Sequence, residues 1–226
     1  MRIKRLLIIP ARSGSKRIKN KNFKNFKGKP IISYSIKTAL KSKIFSKIVI
    51  STDNKKYLKY LNKFDVDVLF RSKKLSNDNA TIESVLRNVL NEYDKSHKSF
   101  DEVWSLTPCS PLIKSKDLVN ASKLLKKNKR KIILPVTEYP VPLEWAFKLA
   151  KNKKLFPLKK NFYKIRSQDL SKSYFDTGNF VAIPIYYFKK KDIDFDNHYL
   201  GLEIPKNRSI DIDEIEDWKI AERLYE

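Results

Sequence analysis

Leu6-Leu7-Ile8-Ile9-Pro10-Ala11-Arg12-Ser13-Gly14-Ser15-Lys16-Arg17-Ile18-Lys19-Asn20-Lys21-Asn22 opens as an apolar run and closes as a small, polar, cationic loop. The apolar part has the length of a buried strand and breaks at Pro10. The loop after it carries one of only four glycines in the chain. A strand that ends this way offers an anionic ligand three things: close backbone approach, consecutive N–H groups that form a nest, and Arg or Lys to neutralise charge. A basic surface turn after a core strand has the same composition, so both readings stand at this point. The loop is neither a Walker A loop, lacking the Gly-Lys-Ser/Thr ending, nor the GxGxxG dinucleotide fingerprint.

Outward from this stretch, strand-like and helical patterns alternate. Residues 30–40 read as a helix with Pro30 in its first turn. Residues 47–53 form a β-branched strand, and Asp53 is placed to cap a helix over 54–63. A third strand follows at 66–71, a helix at 81–93, a fourth strand at 103–106, a helix at 115–128 and a fifth strand at 132–136. This repeated strand, loop and helix predicts an α/β fold, a Rossmann-like, doubly wound, mainly parallel sheet, with ligand loops on the rim at the strands' carboxyl ends. The alternation fails over 138–175, where prolines and a Lys151–Lys154 turn point to an antiparallel excursion. It resumes at 178–183, and a last helix runs from about 214 to 225. One domain spans 1–226, with 138–175 as an inserted hairpin.

Composition narrows the function. The net charge is +24, yet Lys supplies 39 of the 49 basic residues, spread along the whole chain. That is broad bias rather than a nucleic-acid patch, and such a field concentrates anionic small molecules. A basic nucleic-acid-binding domain remains the alternative of another class, and it predicts salt-sensitive binding indifferent to Asp211→Ala. A single cysteine, Cys109, excludes an intrachain disulfide and a Cys-based zinc site. No apolar run has the length of a membrane span. The expectation is a cytoplasmic protein with no membrane and no nucleic-acid partner.

Asp211-Ile212-Asp213 lies on an extended segment before the last helix. Residues two apart share a face, so both carboxylates can meet one cation, and oxygen ligands suit Mg²⁺. The other reading is a helix N-terminus with Asp213 as cap and Glu214, Glu216 and Asp217 favouring the dipole. Arg166-Ser167-Gln168-Asp169 offers a fork for a carboxylate and donors for hydroxyls, or simply an arginine paired with a nearby acid.

Residues 11–17, Lys21-Asn22 and Gly28-Lys29-Pro30 together resemble the motif of the CMP-sugar (acylneuraminate-type) cytidylyltransferases. Ser209-Ile210-Asp211-Ile212-Asp213 is similar to that family's C-terminal motif. Arg71 with Leu75-Ser76-Asn77-Asp78 resembles its Arg-Pro-x-x-Leu-x-x-Asp segment, with Ser72 in place of proline. Thr107-Pro108-Cys109-Ser110-Pro111 resembles its Gln-Pro-Thr-Ser-Pro run. Residues 137–142, 166–170 and 174–180 resemble the branch that activates pseudaminic acid, departing at Ser13, Lys19 and Phe175.

The resemblance implies CMP transfer from CTP to an acidic nine-carbon sugar, pseudaminic acid, with legionaminate or N-acetylneuraminate as the alternative. Ala11, Arg12, Ser13, Gly14, Ser15, Lys16, Lys21, Asn22, Arg71, Asp78 and Thr107 would hold the nucleotide. Arg166, Gln168, Asp169, Tyr174 and Asp176 would hold the sugar, and Asp211 and Asp213 would hold Mg²⁺ (or Mn²⁺). Arg12, Lys21 and Asp211 are the candidate catalytic residues, and no general base stands out. A homodimer joined through 138–175 is implied as well.

Overall fold

The structure is a computed structural model that describes residues 3–77, 80–96, 99–189 and 198–225. Strand β1 (Arg5–Ala11) lies inside the sheet, paired along both edges. Leu6 and Ile8 pack into a core with Val103 on one face, while Leu7 and Ile9 pack with Trp104 on the other. Alternate residues point to opposite faces, so an unbroken apolar run is what a strand covered on both sides requires.

A hairpin follows, β2 (Asn25–Phe26) against β3 (Lys29–Pro30). Lys27 and Gly28 have φ of 46° and 86°, the two left-handed residues of a tight hairpin turn. Pro30 thus ends a strand rather than starting a helix, and α1 begins later, at Ile32–Ser42. The next elements are β4 (Lys47–Thr52), a 3-10 turn leading into α2 (Leu58–Leu61), β5 (Asp67–Phe70), α3 (Ile82–Lys95), β6 (Glu102–Leu106) and α4 (Ser115–Lys127). Then come β7 (Ile132–Glu138), the hairpin β8 (Phe147–Leu149) and β9 (Leu155–Pro157), β10 (Tyr174–Asp176) and β11 (Phe180–Pro184). The chain ends with α5 (Tyr186–Lys189), β12 (Tyr199–Glu203) and α6 (Ile215–Leu224).

The sheet has eight strands in the order β10-β7-β11-β6-β1-β4-β5, with β12 also paired to β7. Pairs β1–β4, β1–β6, β4–β5 and β12–β7 are parallel. The resumed strand is the exception to the expected pattern: β11 enters between β6 and β7 antiparallel to both. It needs no crossover helix, because it returns from the excursion rather than from a βαβ unit. The excursion itself holds the separate antiparallel hairpin β8–β9 and the edge strand β10. Helices α1 and α4 contribute to one face and α3 to the other.

These directions put the carboxyl ends of β1, β4, β5, β6, β7 and β12, and the start of β11, on one rim. A third core lies beneath it, made of Ile18, Phe26, Ile31, Cys109, Leu112, Ile212, Trp218 and Ala221. The loop after β1, the turn after β6 and the aspartate segment each plant a side chain there, namely Ile18, Cys109 and Ile212.

Candidate active site

The loop after β1 is held from below. Ile18 and the Asn22 side chain are buried. Asn22 Nδ2 donates to the Arg12 carbonyl at 2.8 Å, and the Cys109 thiol donates to Asn22 Oδ1 at 3.3 Å. Cys109 therefore acts as a buried structural thiol. Burial pushes its pKa up to about 12, well clear of a reactive thiolate.

The loop is also held from the side. Ser13 N–H and Ser13 Oγ both donate to the Asp53 carboxylate, each at 2.8 Å. Asp53 is therefore not a helix cap; Asn54 takes that role by accepting from Lys56 N–H at 3.0 Å. The only signal in the sequence for this contact was the place of Asp53 at the end of a rim strand. Ser15 N–H donates to the Ser13 carbonyl at 3.0 Å, so two of the expected nest amides are engaged within the protein.

Arg71 leaves the end of β5, its N–H donating to the Thr52 carbonyl at 2.9 Å. The residue is 8% exposed, and its buried Nε has no hydrogen-bond partner among the described residues. Burial lowers its pKa, Asp53 opposes that shift and Arg12 adds to it, so the three charges sense one another. Asp78 lies outside the described residues. Thr107 is drawn to the start of β11: its N–H donates to the Asn179 carbonyl at 2.8 Å and its hydroxyl to the Gly178 carbonyl at 2.7 Å.

The aspartate segment forms the opposite wall. It is irregular rather than a strand, with Ile212 fully buried and Asp211 and Asp213 on either side of it. Asp213 pairs with Arg17 at 2.9 Å and Lys21 at 3.2 Å, and Lys21 Nζ also donates to the Ile212 carbonyl at 2.6 Å. Although its own burial opposes the effect, these cations hold the Asp213 carboxyl below its usual range. Asp211 is shifted the other way, raised first by burial and then by Asp213. Asp213 does not cap α6; Asp217 accepts the N–H groups of Asp213 and Glu214, at 3.0 and 2.8 Å. Between the walls runs a cleft lined by Arg12, Ser15, Lys16, Arg17, Lys21, Asn22, Thr107 and Asp213.

The sugar-binding candidates fall elsewhere in the single chain. Arg166 is exposed and pairs with Asp169 at 3.0 Å, and Gln168 lines a groove with Tyr139 and Pro140. Tyr174 is exposed on β10. Asp176 accepts from Gly178 N–H at 2.9 Å and faces a more apolar groove that shares Ile82 with the cleft. Burial raises its pKa, against the effect of that N–H.

A rim of this kind, with a cation-lined cleft faced by Asp213 and with Asp211 close to the start of β11 at Gly178, is that of a nucleotidyltransferase. The chain belongs to the cytidylyltransferase family, whose model matches residues 6–217. It is 37% identical to the pseudaminic acid cytidylyltransferase of Campylobacter jejuni serotype O:2, over 99% of this chain and 97% of that one. It is 28% identical to an N-acylneuraminate cytidylyltransferase of Escherichia coli, over 98% of this chain and 52% of the relative. Among solved structures, CMP:2-keto-3-deoxy-manno-octonic acid synthetase, complexed with CTP, superposes with a TM-score of 0.68 at 14% identity, covering 98% of each chain. That likeness bears out the expected fold.

Proposed function

We propose that this enzyme transfers CMP from CTP to pseudaminic acid, releasing pyrophosphate. The observation that carries the reading is the cleft in which Arg12, Lys16, Arg17 and Lys21 face Asp213, in a chain 37% identical to a relative named for that reaction. The sugar's anomeric hydroxyl attacks the α-phosphorus, its proton leaves to water, and the bond to the pyrophosphate oxygen breaks. Such a step depends on positioning and charge neutralisation. Arg12, Lys16 and Lys21 bind the triphosphate, with the backbone of Ala11 to Ser15 and the Asn22-braced turn shaping the loop. Arg71, buried at the end of β5, helps place the nucleotide.

Asp211 and Asp213 suit a hard divalent cation, Mg²⁺ or Mn²⁺. Both offer carboxylate oxygens, and the charged form of Asp211 is disfavoured first by burial and then by Asp213, effects that a bound cation would offset. Among the described residues no group of three or more His, Cys, Asp or Glu gathers to hold a metal. The remaining ligands would then come from substrate phosphates and water. When bound, the ion offsets charge on the phosphates.

A homodimer completes this reading. In the excursion the cross-strand neighbours Leu149 and Leu155 are 61% and 56% exposed on one face of the β8–β9 hairpin, apolar exposure of the kind that marks interfaces. Arg166, Gln168 and Asp169 do not line their own chain's cleft. A partner's excursion would bring them to it. Use of CTP as the donor would place the enzyme in the cytoplasm. Among the described residues no helix is long and apolar enough to cross a membrane.

The test is pyrophosphate release from CTP and Mg²⁺ with pseudaminic, legionaminic and N-acetylneuraminic acids in parallel. Turnover with pseudaminic acid alone is expected. Turnover only with another sugar overturns the substrate, and failure to bind CTP overturns the nucleotide assignment.

A further inference from the structure

The segment that carries Asp211 and Asp213 has no helix or strand to fix it, so its position must come from side-chain anchors. The downstream anchor is Ile212, fully buried in the core beneath the rim. Upstream, Asn179 Nδ2 reaches the Ile210 carbonyl at 3.5 Å, and beyond it lies Arg208, the last residue of a 3-10 turn, Lys206–Arg208. Its guanidinium straddles one carboxylate: Nη1 donates to Asp117 Oδ2, and Nη2 donates to Asp117 Oδ1 at 3.1 Å. Nη1 also reaches the Leu112 carbonyl at 3.4 Å. The two side chains are only 18% and 10% exposed. Asp117 is itself fixed, in the first turn of α4, where it accepts Lys114 N–H at 2.8 Å.

A buried, bidentate pair is costly to desolvate and adds little net stability, but its planar fork fixes geometry. Three residues separate Arg208 from Ile212, each spanning at most about 3.6 Å. With both ends held, Asp211 has little room to move. The socket for Arg208 also belongs to the chain that follows Thr107 to Pro111, so the clamp ties the aspartate segment to the nucleotide side of the rim.

We infer that Arg208, through Asp117, is a positioning residue for the cation-binding pair, setting Asp211 beside Asp213. This rests on the reading of Asp211 and Asp213 as cation ligands.

The test compares Arg208→Met, which keeps the apolar stem, and Arg208→Lys, which keeps the charge without the fork, with Asp211→Asn as reference. Binding of Mn²⁺ alone is counted from loss of the free-ion EPR signal. The titration is repeated with Mn²⁺ and CTP together, read by water-proton relaxation, so that a site formed only with nucleotide is also seen. Arg208→Met is expected to weaken Mn²⁺ binding about tenfold and to lower kcat by a similar factor, with the KM for CTP within about twofold. Arg208→Lys should fall between it and wild type. Should Arg208→Met fail to fold, Arg208→Lys carries the same comparison. Wild-type Mn²⁺ binding and kcat in a folded Arg208 variant would overturn the inference. Wild-type Mn²⁺ binding in Asp211→Asn would instead overturn the cation reading on which it stands.

Discussion

Ser13 gives both its N–H and its hydroxyl to one carboxylate, that of Asp53, at 2.8 Å each. The two residues follow closely on the parallel partners Ala11 and Thr52 of adjacent strands. The contact joins the ends of β1 and β4 across the rim and fixes the first half of the loop. It also keeps a negative charge close to Arg71, whose charged form burial disfavours.

Asp53→Ala removes both hydrogen bonds and this charge, and is expected to raise the Kd for CTP by about tenfold, or ~1.4 kcal/mol. Asp53→Asn keeps an acceptor for Ser13 N–H and should cost less. Titration calorimetry with CTP checks the order. Equal affinity in all three proteins would show that the loop holds its shape without Asp53.

Gly178 is the next constraint. Its φ is +67°, and a Cβ built there would sit 3.1 Å from Asp211 Oδ2. Gly178→Ala therefore carries a backbone cost of about 1–2 kcal/mol and pushes against the aspartate. Reduced turnover at saturating CTP is expected, with a melting temperature lower by a few degrees. Steady-state kinetics beside thermal melts measure both. A loss of stability with unchanged kcat would mean that Asp211 tolerates the shift.

How much of this was legible depends on the range of each interaction. Leu6 to Ile9 announced a strand buried on both faces because that pattern is local. The cations that line the cleft were legible from residue type, whereas the spacing of Asp211 and Asp213 suggested a strand and the segment is irregular. The partner of Asp53 was not: a cap reading is local, whereas Ser13 lies 40 residues away. Arg208 and Asp117 are separated by 91 residues, and neither has a pattern that points to the other. Pro30 misled because a proline suits both a helix start and the end of a hairpin, and the left-handed Lys27-Gly28 turn decided the matter. The antiparallel entry of β11 was hidden for the same reason as the Ser13–Asp53 contact, since strand order is set by distant pairing rather than by the strand's own sequence.

Cys109 gives a pH dependence. The fold keeps this thiol protonated, raising its pKa from 9.0 to about 12 through burial. A raised folded value means that the stability gained is complete below the unfolded value and is lost as pH rises through the folded one. Stability should therefore decline above about pH 9, and less so in Cys109→Ala after allowing for its lower starting point. Denaturant titrations from about pH 8 to about pH 11 bracket the unfolded thiol value and test this. Below that window the native thiol should also resist alkylation until the protein unfolds.

The exposed face of the β8–β9 hairpin leads to a test of assembly. Leu149→Asp together with Leu155→Asp places charge on two exposed apolar side chains that pair across the strands on one face of that hairpin. Neither touches the cleft of its own chain. The pair should shift the protein from dimer to monomer in light scattering and lower turnover while leaving CTP binding intact, because the nucleotide residues lie within one chain. A monomeric wild type, or a monomeric variant with full activity, would remove the partner's excursion from the proposed sugar site.

Asp211 and Asp213 carry the same charge and sit on the same segment, yet their neutral variants should move stability in opposite directions. Asp213 is paired with Arg17 and Lys21. Asp213→Asn loses both attractions and leaves two cations facing each other, so the melting temperature should fall by about 2 °C, the scale of a partly exposed ion pair. Asp211 is held at a raised pKa by burial and by Asp213, with Lys21 only partly opposing them. Neutralising it by Asp211→Asn removes that repulsion, so the metal-free protein should melt slightly higher while losing turnover. Adding Mg²⁺ and CTP should reverse the ranking, since ligands that bind the folded wild type raise its stability by mass action and Asp211→Asn would bind the cation poorly. Melting curves of the three proteins with and without Mg²⁺ and CTP make the comparison. A metal-free Asp211→Asn less stable than wild type would mean that Asp211 serves the fold as well as the site.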